Sequence, residues 1–296
     1  MKPLLTVFTP TYNRRKLLTR CYESLKKQTS NNFEWLIIDD GSIDDTKEFV
    51  EKWVKENNKF NIRYIYQENQ GMHGAHNTAY ENINTELNTC IDSDDYMPCD
   101  AVEKICDFWK RNGSDIYSGF IGLDAFEDGQ VIGSKMPEEY KSSTLFELYK
   151  KKGVTGDKKL IYRTELTKKY PYPVFEGEKY VGLAYKYYKL DEEYELLLMN
   201  EVVCIVEYQA EGSSMNMLRQ YMRNPNGFAF YRRENMKNPM GGFIYKFKEN
   251  IHYISSSLIS KDRKFIKESP CKVMTVLAIP IGLLLYLYIR KNVRLT

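Results

Sequence analysis

Three carboxylates fall within four positions in the segment Asp92-Ser93-Asp94-Asp95, which follows a short apolar run at residues 87–91. Like charges held this close repel one another unless a cation neutralises them. Mg²⁺ and Mn²⁺ suit such a loop, because they bind one or two carboxylates and complete their coordination with water and ligand oxygens. The pattern predicts a divalent metal site, and a helix cap or a solvated turn is the alternative.

Two more polar clusters stand at the ends of apolar runs: Thr9-Pro10-Thr11-Tyr12-Asn13 and Asp39-Asp40-Gly41-Ser42. If the runs are parallel strands, their carboxyl ends meet at one edge of a sheet, where ligands bind in such sheets. Asp39 and Asp40 would then accept hydrogen bonds from a base or ribose. Thr9 and the Thr11-Tyr12 loop would cover the base. The alternative for the second cluster is a plain strand-to-helix turn with Ser42 as the cap.

The elements that would position these clusters alternate along the first 120 residues. Apolar runs rich in β-branched and aromatic residues predict strands, and the stretches between them have helical periodicity. Repeated strand and helix imply an α/β protein with a mostly parallel sheet and helices on both faces. The predicted strands are residues 4–9, 34–39, 62–66, 87–91 and 115–121.

The regular alternation ends after residue 122. Asp128-Gly129 predicts a hairpin turn, Thr144 with Glu147 predicts the start of a short helix, and residues 159–163 predict a strand. A Tyr-rich helix over 181–190 and one or two strands over 195–208 follow. No linker rich in Pro, Gly or Ser separates this part from the first, so residues 1–122 and 123–213 are predicted to be two halves of one domain.

The net charge of +3 over 296 residues conceals a division. Residues 1–213 carry 28 Lys and Arg against 36 Asp and Glu, whereas residues 214–296 carry 15 against 4. A basic segment after an acidic body is typical of contact with nucleic acid or an anionic membrane surface. No nucleic-acid-binding motif accompanies the charge, which favours the membrane surface.

The basic tail, residues 214–296, contains a run without charge at residues 273–289. These 17 residues fall short of the roughly 20 needed to span a bilayer, and Pro280 and Gly282 interrupt them. We expect a broken, membrane-associating helix that inserts shallowly, with the basic residues on anionic headgroups. A buried core helix with a solvated basic face is the alternative.

The composition, 43% hydrophobic and 28% charged, excludes fibrous, disordered and multi-span membrane classes. Six cysteines without a Cys-x-x-Cys pair and only three histidines argue against thiolate or imidazole metal sites. They predict reduced thiols in a cytosolic protein. The apolar run at residues 4–8 is too short for a secretory signal, so we expect the body to lie in the cytoplasm.

The three clusters, together with Asn69-Gln70-Gly71-x-His73-Gly74-Ala75-x-Asn77, resemble the motifs of bacterial glycosyltransferase family 2, whose catalytic domain has the GT-A fold. They occur in the family's order and with its approximate spacing over about residues 3–120. The resemblance implies an inverting transfer of a sugar from a nucleotide diphosphate donor, usually uridine diphosphate, to an acceptor hydroxyl. Residues 1–122 would then bind the nucleotide sugar, and residues 123–213 the acceptor.

The resemblance also implies roles for single residues. Asp40 or Asp39 would contact uridine, Asp92 the ribose side, and Asp94 the metal on the diphosphate, with Asp95 beside it. The alternative for the two histidines of the third motif is that they are caps or surface groups on a helix. The residues expected to bind the nucleotide sugar are Thr9, Thr11, Tyr12, Asp39, Asp40, His73, His76, Asn77, Asp92 and Ser93.

A base must remove the proton from the attacking hydroxyl, and a carboxylate does this in enzymes that act on sugars. The family carries an acidic residue beyond the metal motif, before a helix. The candidates here are Glu178 and Glu176, and Glu178 is preferred because it lies nearer the predicted helix start at Val181. The family's commoner Glu-Asp pair is absent, and a charged loop that opens a helix is the alternative.

The sequence therefore predicts a glycosyltransferase at the cytoplasmic face of the membrane, which adds one sugar to a lipid-linked saccharide during surface polysaccharide or capsule assembly. Its donor would be a nucleotide-diphosphate sugar, its cofactor Mg²⁺ or Mn²⁺, and its tail would contact an anionic membrane. No nucleic-acid partner is expected, and a homo-oligomer is left open. The segment Gln220-x-x-Arg223 is similar to a motif of processive polysaccharide synthases but lacks the Trp that follows it there. We therefore expect one sugar to be added per binding event. An acceptor in teichoic acid or protein is the first alternative. A nucleotidyltransferase would need a glycine-rich loop that residues 9–13 lack, and a silent membrane adaptor would not need the carboxylates.

Overall fold

The computed structural model describes residues 2–56, 58–207 and 217–294. Contacts divide the chain into two compact units. The first comprises residues 1–69, 75–171 and 193–209, and the second comprises residues 70–74, 172–192 and 210–296. The expected boundary between 213 and 214 lies outside the described residues. Residues 172–192, which the sequence grouped with the catalytic domain, are grouped with the tail helices by their contacts.

One eight-stranded sheet lies in the first unit. Its strands are β1 (Leu5–Thr11), β2 (Phe33–Asp39), β3 (Asn61–Tyr66), β4 (Leu87–Cys90), β5 (Tyr117–Ala125), β6 (Ser142–Ser143), β7 (Lys158–Arg163) and β8 (Glu195–Ile205). Their order is β3-β2-β1-β4-β7-β5-β8-β6. β1 is parallel to β2 and β4, β2 is parallel to β3, and β5 is parallel to β8. Among the described strands, β7 and the short β6 run against the direction of the others. The predicted α/β fold with a mostly parallel sheet is therefore confirmed.

The helices of this unit bury one apolar stripe each. They are α1 (Arg15–Lys26), α2 (Thr46–Lys55), α4 (Ala101–Asn112), α5 (Leu145–Lys150) and α6 (Thr164–Thr167), and α3 (Met72–Asn82) continues into the unit from residues 70–74. α1 buries Leu18, Cys21, Tyr22 and Leu25, at the helical spacing that the sequence predicts. α2 begins after Asp45. The N–H of its first residue, Thr46, donates to Asp44 Oδ1 at 3.1 Å. Ser42 therefore does not cap it.

Aromatic side chains fill the core between β2 and the helices α1 and α2. The Tyr22 ring stacks on Trp53 and on Trp35, with ring centroids 4.5 and 5.9 Å apart. All three side chains are buried. Burying such rings against a strand rich in Trp, Leu and Ile supplies a large apolar area and fixes the strand from which the Asp39 loop leaves.

The second half of the sheet unit matches its sequence signals. Gly129 has φ 84° in the turn after β5, and the Phe126 N–H donates to the Gln130 carbonyl at 2.9 Å, as in the predicted hairpin turn. Thr144 Oγ1 accepts from the Glu147 N–H at 3.1 Å and caps α5. The predicted strand at 159–163 is β7, and the predicted strands over 195–208 are one strand, β8, whose expected end at Tyr208 lies outside the described residues.

The regular elements described in the second unit are helices. Its helices are α7 (Ala184–Leu190), α8 (Met217–Arg223), α9 (Pro225–Lys237), α10 (Phe243–Ile259), α11 (Phe265–Glu268) and α12 (Lys272–Arg294). α9 and α12 both pack on α10. The Tyr-rich helix expected over 181–190 is α7, three residues shorter at its start.

The helix α12 runs unbroken for 23 residues with Pro280 inside it. The expected break at this proline is therefore wrong. A proline removes one helical hydrogen bond, but Ala278 and Gly282 on either side of it are buried. A Cβ on Gly282 would lie 2.7 Å from Ile254 of α10, so the two helices approach closely here. Packing on both sides of the proline offsets the lost bond.

Candidate functional site

The loops that leave the carboxyl ends of β1, β2 and β4 lie together, because these strands are parallel neighbours. Thr11 stands opposite Asp39, and Phe8 stands opposite Cys90. Side chains tie two of the loops to each other: the Ile43 N–H donates to Asn13 Oδ1 at 2.8 Å, and the Asn13 N–H donates to Ser42 Oγ at 2.9 Å. Asn13 has φ 52°, a left-handed conformation that asparagine tolerates. The predicted clustering of the three motifs at one sheet edge follows from this arrangement.

Asp39 and Asp40 are both buried at the end of β2. Asp39 accepts from the Ser42 N–H at 2.8 Å and from the Tyr64 hydroxyl at 2.6 Å, so both of its carboxylate oxygens hold the loop. Asp40 Oδ1 accepts from Gln67 Nε2 at 2.7 Å. Both carboxylate oxygens of Asp39 are therefore used within the fold.

The first motif divides between the core and the surface. Thr9 is fully buried, and its hydroxyl accepts from the Trp35 indole N–H at 3.0 Å. Thr11 is 3% exposed, and its hydroxyl has no hydrogen-bond partner among the described residues. Tyr12 is exposed. The contact expected between Thr9 and the base stays a prediction, and Thr11 and Tyr12 have the freer side chains.

The acidic loop after β4 directs its carboxylates to different partners. Asp94 Oδ2 lies 2.8 Å from Arg14 Nη1 in a half-buried ion pair. Asp95 is buried and faces β8: its Oδ1 accepts from the Glu207 N–H at 3.4 Å. Ser93 between them is buried as well. The Tyr96 N–H donates to the Ile205 carbonyl at 3.1 Å, which fixes the end of the loop against β8.

The carboxylates of this loop are under electrostatic strain. Burial raises the pKa of Asp95 to about 8; Lys159 opposes the rise, and Asp92 and Asp94 add to it. Burial and the Asp94 charge raise the pKa of Asp92 also, against the effect of Lys159. Both rises in pKa come first from burial, and Lys159 offsets them only in part.

Lys159 of β7 is the internal cation of this region, and the sequence reasoning missed it. Its ammonium donates to the Cys90 carbonyl at 3.2 Å, at the end of β4. Burial lowers its pKa, but Cys204, Asp124, Asp95 and Asp92 outweigh burial and hold the pKa well above its usual value. A lysine inside the apolar run Lys158–Arg163 was the available signal. Arg14, next to the first motif, was missed too.

The residues of the acidic loop fit a divalent metal that takes few protein ligands. No group of three or more His, Cys, Asp and Glu side chains close enough to cage an ion occurs within the described parts of the chain. Mg²⁺ and Mn²⁺ need no such cage, because one or two carboxylates suffice when water and phosphate oxygens complete the shell. Asp92 and Asp94, the latter paired with Arg14 at 2.8 Å, supply carboxylate oxygens of the kind that such an ion binds.

The two histidines of the third motif differ in their surroundings. His76 is buried in the first unit, where its Nδ1 lies 3.2 Å from the Tyr80 hydroxyl and its ring meets the Phe8 ring edge to face. His73, at the start of α3, belongs to the second unit; it is buried, and neither ring nitrogen has a hydrogen-bond partner among the described residues. Burial and the Lys179 charge lower the pKa of His73 to about 4. Asn77 is half-buried. The alternative of surface groups is excluded for both histidines.

The two candidate bases, Glu178 and Glu176, lie in the second unit and differ in exposure. Glu178 is 6% exposed, and its carboxylate accepts from the Asn226 N–H, the Asn226 side-chain amide and the Gly227 N–H at 2.9, 2.7 and 2.8 Å. It therefore binds the N-terminus of α9, which begins at Pro225. Glu176 is exposed, and it makes no hydrogen bond or ion pair within the described chain.

Curated relatives match part of this chain. Glycosyltransferase GlyA of Streptococcus pneumoniae is 36% identical over 148 residues, which are 48% of this chain and 21% of that protein. Chondroitin synthase of Escherichia coli is 36% identical over 110 residues, which are 37% of this chain and 16% of that protein. The matches thus span about a fifth or less of the length of these relatives.

Solved structures match nearly the whole chain at low identity. S. aureus TarS in complex with UDP-GlcNAc has a TM-score of 0.62 at 19% identity, over 99% of this chain and 92% of that one. The mannosyltransferase PcManGT from Pyrobaculum calidifontis, in complex with GDP-Man and Mn²⁺, has a TM-score of 0.60 at 15% identity, over 97% of this chain and 88% of that one. At this identity the likeness shows the fold, which is the expected GT-A fold.

The sequence profile described as Glycosyl transferase family 2 matches residues 6–170, more than half of the chain. This stretch contains the three loops at the sheet edge and the whole of the antiparallel strand β7. The chain therefore belongs to glycosyl transferase family 2.

Proposed function

We propose that this chain transfers one sugar, with inversion, from a nucleotide-diphosphate donor to a hydroxyl of a saccharide acceptor, and that the donor nucleotide is uridine diphosphate. The observation that carries the proposal is the acidic loop at residues 92–95, which leaves the same sheet edge as the Asp39-Asp40 loop. Family membership adds support, as does the fold shared with a structure that holds UDP-GlcNAc.

The nucleotide would be bound by the loops after β1 and β2. Thr11 offers a hydroxyl without a partner in the described chain, and Tyr12 offers an exposed ring that can cover the base. Asp40 would accept from the uracil or ribose, with Gln67 holding its carboxylate in place. Thr9, His76 and Asp39 contact other parts of the fold, so we assign them the support of this pocket rather than direct contact.

Asp94 and Asp92 would hold Mg²⁺ or Mn²⁺. When bound, the ion supplies positive charge to the donor's diphosphate, which is the leaving group of the reaction. Arg14 pairs with Asp94 at 2.8 Å. If Asp94 bound a metal ion instead, the Arg14 guanidinium would be available to pair with the anionic leaving group. Ser93 and Asp95 anchor the loop, because both are buried.

The base is proposed to be a carboxylate of the segment at residues 175–180. The sequence favoured Glu178, but both of its oxygens already accept hydrogen bonds at the start of α9. Oε1 accepts two of these bonds and Oε2 accepts one, so most of the acceptor capacity of the Glu178 carboxylate is already used within the fold. Glu176 is exposed and accepts no such bond from the described residues. We therefore propose Glu176 as the base and Glu178 as the residue that positions this segment on α9.

The acceptor is proposed to be a lipid-linked saccharide of a cell-surface polysaccharide, including capsule, reached at the cytoplasmic face of the membrane. The basic residues of 214–296 and the apolar helix α12 support contact with an anionic membrane. A teichoic acid or protein acceptor is the alternative, and a homo-oligomer is left open.

A thermal-shift panel of nucleotide sugars tests the donor, since a true donor raises the melting temperature by mass action. We expect one UDP-sugar to stabilise the protein in the presence of Mn²⁺ and to lose that effect with EDTA. Asp94→Asn should abolish the Mn²⁺-dependent part. Asp107→Asn is the control, because Asp107 is a half-buried acid on α4 that, like Asp94, pairs with a cation. Stabilisation by UDP-sugar that is equal with and without Mn²⁺ would overturn the metal assignment, and no response to any nucleotide sugar would overturn the donor class.

A further inference from the structure

The outward face of α12 is an apolar surface. Side chains along one stripe of the helix are exposed: Val273, Leu277, Ile281, Leu284 and Tyr288. Their spacing of four, four, three and four residues keeps them on one side of a helix. We call this set the α12 stripe. Contiguous apolar surface of this kind marks a site of interaction with a partner or a membrane.

The opposite face of α12 is engaged within the second unit. Thr275, Ala278 and Gly282 are buried there, and α12 packs on α8, α10 and α11. The Thr275 hydroxyl hydrogen-bonds to the Asn250 side chain of α10 and lies 2.6 Å from the Ser269 hydroxyl. One face of α12 therefore packs on and hydrogen-bonds to the neighbouring segments of the second unit, and the other face is apolar and exposed.

The neighbours of α12 are too polar to enter hydrocarbon. α10 carries Glu249, which is buried in an ion pair with Arg232 of α9 at 3.1 Å. α8 carries Arg219 and Arg223. Charged side chains at the centre of a bilayer are costly, so a membrane-spanning position of α12 would either drag these groups inward or break its packing on α10.

The length of the apolar run also argues against a span. One helix of the described chain, Lys272–Val293, is long and apolar enough to cross a membrane by length and composition alone. Its uncharged part, residues 273–289, is about 26 Å long at the helical rise per residue, against a hydrocarbon thickness of about 30 Å. Lys272 precedes it and Arg290 and Lys291 follow it, so both ends carry cations suited to headgroups.

We propose that α12 lies flat in the interface of an anionic bilayer, with the α12 stripe among the acyl chains and the packed face toward the protein. The proposal rests on the membrane contact assumed in the proposed function and specifies its geometry. We take the occupant to be a lipid surface rather than a second copy of the chain. Cations stand at both ends of the helix, and residues 214–296 contain 15 Lys and Arg against 4 Asp and Glu. This positive charge complements negative headgroups and would repel an identical surface.

Vesicle flotation tests the surface. The purified full chain is mixed with vesicles of about 30% phosphatidylglycerol in phosphatidylcholine and, separately, with pure phosphatidylcholine vesicles. The buffer has a roughly physiological salt concentration. We expect flotation with the anionic vesicles and a loss of roughly a hundredfold in partition for Leu284→Glu. Ile116→Glu is the matched control, since Ile116 is 66% exposed and Leu284 65% exposed, and it should float like the unmodified chain.

Tryptophan depth tests the orientation. The fluorescence of a tryptophan introduced on α12 is quenched by lipids that carry bromine in their acyl chains. The variants are Val273→Trp, Ile281→Trp and Tyr288→Trp, and the three native tryptophans are shielded by burial in the first unit. A flat helix predicts similar quenching at all three positions. A spanning helix predicts strong quenching at 281 and weak quenching at 273 and 288, and that result would overturn the proposal.

The remaining outcomes separate this inference from the proposed function. If the chain never floats but turns over its donor, the inference fails and the transferase stands. If it floats but turns over no nucleotide sugar, the transferase fails and the inference stands. Sedimentation that shows a dimer of the unmodified chain and a monomer of Leu284→Glu, without vesicle binding, would assign the α12 stripe to a second copy and overturn the proposal.

Discussion

Exchange of Glu178 and Glu176 one at a time distinguishes a structural carboxylate from a catalytic one. Glu178 is 6% exposed and accepts three hydrogen bonds of 2.7 to 2.9 Å at the start of α9. Each such bond to a charged group contributes about 1.5–3 kcal/mol, and a negative charge at a helix N-terminus adds up to about 1 kcal/mol. Because the three bonds share one carboxylate and are not independent, we take about 4 kcal/mol for Glu178→Ala.

This estimate translates into measurable melting temperatures. At about 2–4 °C per kcal/mol for a chain of this size, Glu178→Ala should lower the melting temperature by about 8–16 °C. Glu178→Gln keeps the shape and one acceptor, so it should lose about half of that. Glu176→Gln should change the melting temperature by less than about 2 °C, because an exposed side chain without partners contributes little.

Activity supplies the second readout. If Glu176 removes the proton of the acceptor hydroxyl, Glu176→Gln lowers kcat by about 10²–10⁴-fold, the usual contribution of a general base, and leaves the KM for the donor unchanged. Glu139→Gln is the control, since Glu139 is exposed and lies in the first unit. The reasoning is refuted if Glu178→Gln keeps its melting temperature and loses kcat, or if Glu176→Gln retains full kcat.

Four further substitutions, of which Gly177→Ala is a control, test other parts of the structure. Asp94→Asn should lower donor turnover at least about a hundredfold and remove its response to added Mn²⁺ in a metal titration; retained Mn²⁺ dependence would contradict the assignment. Gly71→Ala should lower the free energy of unfolding by more than about 2 kcal/mol, because Gly71 has φ 82° and a Cβ would lie 2.1 Å from the Lys179 carbonyl oxygen. Gly177→Ala is the control, since Gly177 has φ 74° and a Cβ there would meet nothing within 4 Å. It should cost only the backbone strain of about 1–2 kcal/mol, and urea unfolding measures both. Burial lowers the pKa of His73 to about 4, so the unfolded chain takes up a proton first, and stability should fall as the pH drops from about 6.5 to 4; a urea midpoint in His73→Gln that falls as steeply over this range would exclude His73 as the cause.

The sheet and its loops were predictable because local signals and global fold agree there. Apolar runs of strand length alternate with helical periodicity up to Asn112, and β1, β2 and β4 each lead into a polar cluster. Parallel pairing then brings the ends together without further information. Thr144 and Gly129 were predictable for a similar reason, since a cap and a turn depend on residues within a few positions.

The partners of the site residues were not predictable, because they come from distant parts of the chain. Lys159 reaches Asp92 and Asp95 from a strand inserted antiparallel between β4 and β5, and nothing in the local sequence fixes that insertion. The continuity of α12 through Pro280 likewise depends on packing against α10. Local propensity predicted a break, and tertiary contacts outweighed it.

Carboxylates of equal intrinsic acidity have unequal uses in this fold, and burial together with hydrogen-bond supply decides between them. Asp39 and Glu178 each receive donors at both oxygens, so their charge is stabilised by the protein alone and they hold a loop and a helix end. Asp92 and Asp95 have raised pKa values because burial and mutual repulsion exceed what Lys159 compensates. A carboxylate that the protein leaves under-compensated is one on which an external cation gains most, since the ion relieves repulsion that the fold has already incurred. The acidic loop should therefore bind a divalent ion, whereas Asp39, which already holds its own loop through both oxygens, should not.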